Sequence, residues 1–142
     1  MAIANLHETL LCYAQRKSQL NLEISEFQTQ KTLALYSQGD VRAIKAQDEH
    51  EVREFYKALY EGDEEYSGKY KDYTQIPDFE AEMDKIAAKY QDELDQLSAW
   101  ETQLDAEITT RSAELEEVNA YMESMKSMLS SNIQEDFNFG LK

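Results

Sequence analysis

Apolar residues recur along the second half of this chain at alternating steps of four and three. From Leu97 the seam reads Leu97, Glu101, Leu104, Ile108, Arg111, Leu115, Val118, Met122, Met125, Leu129, Asn132. That period places a narrow stripe on one side of an α-helix, and the stripe needs a second helix to cover it. Upstream, Phe79, Met83, Ile86, Tyr90 and Leu94 continue the seam with one extra step of four, a stutter that locally relaxes a supercoil. Residues 78–139 contain neither glycine nor proline, so the pattern predicts one long helix over about 78–133. Pro77 suits its start, and Asp78, Glu80 and Glu82 suit the positive end of its dipole.

The first arm has the same period. Leu6, Leu10, Tyr13, Lys17, Leu20, Ile24, Phe27, Lys31 and Ala34 form its seam over residues 3–36. The two lysines are expected to snorkel outward or to fix register against acidic neighbours. Gly39-Asp40 follows, and two readings of it stand. Gly39 either ends a helix in a left-handed turn, with Asp40 capping the next, or lies inside a continuous helix. Over 41–60, Val41, Ile44, Val52, Phe55 and Leu59 are expected on the packed side beside Tyr56 and Tyr60. Asp48, Glu49, Glu51, Arg53, Glu54 and Lys57 then form a solvated face of alternating charge.

Residues 61–77 hold Gly62, Gly68 and Pro77, and read as the connecting loop. The arms on either side, 3–60 and 78–133, are nearly equal in length. The fold class that follows is all-α: a long antiparallel coiled-coil helical hairpin forming a single domain over 1–142. A full break at Gly39 would make it a three-helix arrangement instead. Residues 134–142 alternate Phe137, Phe139 and Leu141 with polar residues. They are expected to be an apolar tail beyond the helix, folded back or inserted into a neighbouring subunit.

Charge changes the functional picture more than the fold. The net charge is -15, of which -11 falls on residues 76–142. Such a surface repels nucleic-acid phosphate and anionic membranes, and a basic partner is the kind it would attract. No stretch has the apolar length of a membrane span. The first residues lack a basic segment before their apolar part, so no cleaved signal peptide is expected, and the protein is placed in the cytoplasm or exported without one. Cys12 is the sole cysteine, excluding an intrachain disulfide, and its place beside Leu10 and Tyr13 suggests a small buried or half-buried side chain.

Candidate chemistry is sparse. Only His7 and His50 are present, and neither completes a Glu-x-x-His pair. His50-Glu51-x-x-Glu54 has Glu54 where a zinc-protease helix needs its second histidine. The run Glu61-Gly62-Asp63-Glu64-Glu65 lacks EF-hand ligand spacing. No phosphate loop or nucleophile elbow occurs. The sequence therefore predicts no catalytic, metal or cofactor site, and the expected role is contact with protein. The expected contact residues are Trp100, one position off the seam; Tyr66, Tyr70 and Tyr73, with no evident core to enter; the adaptable Met122 and Met125; and Phe137, Phe139 and Leu141.

Two functions fit: a non-enzymatic structural subunit that self-associates into a homo-oligomer or polymer, or an acidic adaptor or chaperone for a basic or helical client. No motif identifies a family. In layout, helical arms flanking a loop without a cleaved signal, the chain resembles subunits of bacterial export-apparatus filaments and needles. The resemblance is architectural, transfers no residue, and implies the filament form of the first function.

Overall fold

The structure, a computed structural model, describes residues 3–140, with side chains described as far as 136. It contains helix α1 (Ile3–Gly62), helix α2 (Glu64–Lys69), a 3-10 turn (Tyr73–Gln75) and helix α3 (Phe79–Gly140). No strand occurs among the described residues. The long helices α1 and α3 pack against each other as an antiparallel hairpin. Contacts divide the chain into two units. Unit 1 combines Met1–Lys31 with Gln103–Lys142, and unit 2 is Thr32–Thr102.

The seam predicted for α3 is the packed side of that helix: every position in it from Phe79 to Asn132 is buried or half-buried. The same holds for α1 from Leu6 to Ala34. In unit 1, Leu6 and Leu20 are fully buried, and Leu104 and Val118 nearly so. Tyr13 stacks on Tyr121 with ring centroids 5.6 Å apart. Two polar seam positions of unit 1 find partners across the pair. Lys31 bridges Asp105 at 2.7 Å, which is the register-fixing role expected of it. Arg111 bridges Glu23 at 3.2 Å, contacts Glu107, and lies 4.9 Å over the ring of Phe27. Beside the seam, Arg16 reaches Glu114 at 2.7 Å.

Unit 2 corrects the sequence reading of residues 37–60. Helix α1 is not broken at Gly39, whose φ is not positive, so the in-helix reading is the right one and no three-helix arrangement forms. The predicted packed residues Ile44 and Phe55 are 52% and 57% exposed. The packed side instead continues the heptad through Gln38, Val41, Lys45, Asp48 and Val52 to Tyr56. Among the described residues Gln38 is the one buried polar side chain, and its amide donates to Glu101 at 2.8 Å. Asp48, expected on the solvated face, accepts a hydrogen bond from the Tyr90 hydroxyl. A polar residue is admitted to a seam when the opposite helix supplies its partner. The step of four from Val52 to Tyr56 matches the one at Tyr90 on α3, so both helices carry a stutter within the same unit.

Residues 61–77 are more ordered than a plain loop. Asp63 caps α2 by accepting from the Glu65 amide at 2.9 Å, and Asp72 caps the 3-10 turn by accepting from the Thr74 amide at 2.8 Å. The Thr74 hydroxyl joins the same carboxylate, and these hydrogen bonds hold Asp72 below the ordinary carboxylate range. Ile76-Pro77-Asp78-Phe79 is a tight turn closed by the Phe79 amide donating to the Ile76 carbonyl at 3.3 Å. Pro77 and an Asp78 φ of 75° are what a type II turn requires at its two central positions. Helix α3 thus begins at Phe79, and Glu80 and Glu82 occupy its first turn.

Two further expectations change. Helix α3 runs through Gly140 instead of stopping near 133, so residues 134–140 are helical rather than a separate tail. The side chains of Phe137 and Phe139, and all of Leu141, lie outside what the structure describes. Cys12 is exposed, not buried, because it sits away from the Leu6–Leu20 stripe.

Candidate interaction surfaces

The tip of unit 2 has a small core of its own. Tyr56, Ile76 and Phe79 are buried together, with Val52, Leu59, Tyr60, Tyr66, Tyr70, Tyr73 and Met83 packed around them. Phe79 meets Tyr56 and Tyr73 edge to face, at 5.4 and 5.5 Å. Tyr66 and Tyr70 stack at 6.2 Å, and the Tyr60 hydroxyl donates to the carbonyls of Tyr70 and Lys71. The premise that the tip tyrosines have no core to enter is therefore corrected: the segment between the helices folds over and supplies one. Tyr66, Tyr70 and Tyr73 remain half-buried, so each also keeps an edge toward solvent.

Electrostatics at the tip follow from this packing. Burial is the main cause that raises the Tyr56 hydroxyl above its ordinary pKa, reinforced by its 3.2 Å hydrogen bond to Glu82. Tyr90 is raised chiefly by its hydrogen bond to Asp48, and Tyr121, in unit 1, by its hydrogen bond to Glu117. All three favour the neutral phenol, which donates to a carboxylate. None forms a nucleophile–base pair. No group of three His, Cys, Asp or Glu side chains that could hold a metal ion occurs among the described residues. No helix is long and apolar enough to cross a membrane, again among the described residues.

The other predicted contact residues fall in different places. Trp100 is half-buried on the flank of α3 in unit 2. Met122 and Met125 are half-buried on the α3 seam in unit 1, while Met128 beside them is 43% exposed. Within unit 2, Trp100 is not among the side chains packed at the tyrosine-rich tip. Unit 2 also carries an open groove lined by the carboxylates of Asp48, Glu51 and Glu82 and the apolar side chains of Val52, Phe55 and Ile86.

The sequence reading missed a set of large apolar side chains that stand in solvent along α1. Leu11, Leu22, Leu33, Ile44 and Phe55 are all at least half exposed, and Tyr36 is 71% exposed. The signal was present, since these five recur every eleven residues, three turns of an α-helix. It is masked because the same helix carries a second apolar stripe at heptad spacing, Leu6 to Ala34. No protein-family model, curated protein or solved structure matches this chain.

Proposed function

We propose that this protein is a non-enzymatic structural subunit, a helical hairpin that associates with further copies of itself. One observation carries the reading: the hairpin satisfies its own seam yet leaves large apolar side chains outside it. Within the described residues every buried side-chain polar atom has a partner, so the seam is complete without another molecule. Ten large apolar residues among those described nevertheless remain 43–71% exposed, on both long helices. Single exposed apolar residues are ordinary, but a regular series of them marks a surface that another molecule covers. Trp100 on its flank and the apolar C-terminal residues would add to such contacts.

The adaptor reading draws on a different observation, the groove of unit 2. Its mixed lining of apolar Val52, Phe55 and Ile86 with the carboxylates of Asp48, Glu51 and Glu82 suits an apolar side chain carried next to a basic one. Light scattering over a concentration series separates the two. A mass that rises with concentration supports the structural subunit. A monomer throughout, with salt-sensitive binding to basic helical peptides, replaces it with the adaptor.

A further inference from the structure

The two helices of unit 1 present different chemistry to solvent. On α3, the exposed charged side chains are Glu116, Glu117, Glu123, Glu135 and Asp136, against Lys126 alone. On α1 the contrast is sharp. Between Leu11 and Ser37 five side chains are charged, and four of them, Arg16, Lys17, Glu23 and Lys31, are half-buried. Three of these pair with α3. Glu26 is the single exposed charge over that length. In a chain that is 30% charged, a solvent face this poor in charge needs a cause. Solubility alone would fill it with lysine and glutamate, as on α3.

The uncharged residues are also ordered in space. Leu11, Gln15, Ser18, Leu22, Ser25 and Thr29 are all exposed and step four, three, four, three, four. At 100° per residue they fall on one side of α1, opposite the stripe that holds Leu6 and Leu20. This is a second seam, with leucine at every third place and small or neutral polar residues between. Leucine supplies apolar area, and serine permits close approach of another backbone. Unit 2 adds exposed Leu33 and Tyr36 on its own part of α1, four residues after Thr29 and three after Leu33.

We infer that this stripe is the face on which a second copy of the chain packs, helix α1 against helix α1. The inference rests on the self-association proposed above and assigns it a surface. Charge selects the occupant. A basic client has nothing to read on an uncharged stripe and would be drawn to α3 instead. Two copies of net charge -15 repel each other over most of their surfaces, and this stripe is where they meet with little carboxylate to desolvate. Glutamine, serine and threonine both donate and accept, so identical stripes satisfy each other. Depletion of charge with retained apolar residues is the composition of an interface centre. Six side chains make a smaller patch than a standard interface of about 20–30 residues a side, so association through it is concentration-dependent.

The test is light scattering over a concentration series on the full chain, comparing wild type with Leu22→Glu and with Thr110→Glu. Both substitutions add one negative charge in unit 1 at exposed positions, one on the stripe and one on α3. The expected result is that Leu22→Glu raises the concentration of half-association about tenfold or more, while Thr110→Glu tracks wild type. If both variants associate like wild type, or both weaken equally, the stripe is overturned and self-association stands. A wild-type monomer at every concentration overturns both. Helicity by circular dichroism confirms folding. Should Leu22→Glu lose helix, Leu22→Gln replaces it, with weakened association expected and wild-type behaviour overturning the stripe.

Discussion

Gly39 offers a direct test of how α1 is built. It lies deep inside a 60-residue helix, its φ is not positive, and a Cβ added there meets nothing within 4 Å. Gly39→Ala therefore removes the conformational cost of glycine in a helix interior, about 1 kcal/mol, with no clash to offset it. The side chain is exposed, so no burial term enters. For a chain of this size that gain raises the thermal midpoint by about 4 °C, and with a urea slope of about 2 kcal/mol/M moves the urea midpoint up by about 0.5 M. Gly39→Pro should do the reverse and cost about 3 kcal/mol or more, because proline removes a helical hydrogen bond and clashes with the preceding turn. Circular dichroism melts and urea titrations of the three proteins, with the slope unchanged for Gly39→Ala, make the comparison. Destabilisation by alanine would refute the reasoning, since only a left-handed glycine or a close neighbour could cause it.

Three further outcomes are expected. Asp78 sits at a φ of 75°, where an L-residue without a stabilising side chain costs about 1–2 kcal/mol. Asp78→Ala should therefore destabilise while Asp78→Gly is neutral or better, and a urea comparison giving alanine the higher midpoint would contradict the turn. Glu101→Ala strands the buried Gln38 amide and should cost about 1–3 kcal/mol in urea unfolding, whereas Gln38→Leu with Glu101→Leu should recover most of that loss; a double variant as weak as the single one would mean the pair stabilises beyond its burial. Tyr56, Tyr90 and Tyr121 have raised pKa values when folded, so their contribution to stability is complete below the unfolded value of 10.0 and disappears as pH climbs through the higher folded values. Ultraviolet titration should find part of the nine tyrosines ionising late, with stability falling in that window; nine tyrosines ionising together near 10.0 would refute it.

Two long helices joined by a short segment, and the packed side of each helix over most of its length, are legible in the order of residues alone. Helical period is a local property, and where the packed residue is Leu20, Leu104 or Val118 its apolar character announces its place. That logic holds for Val41, Val52 and Tyr56 but fails at Gln38, Lys45 and Asp48. Gln38 and Asp48 belong to the packed side because Glu101 and Tyr90 stand opposite them, and no property of residue 38 or 48 alone says so. Ile44 and Phe55 misled for the complementary reason: apolar residues can also stand in solvent, on a face whose use depends on another molecule. The tip tyrosines were legible as a cluster but not as a core, since Ile76 and Phe79 reach Tyr56 only after the turn at Pro77–Asp78 reverses the chain. Period decides which side of a helix packs; the pairing of residues distant in sequence decides what that side may contain, and only the tertiary structure supplies that pairing.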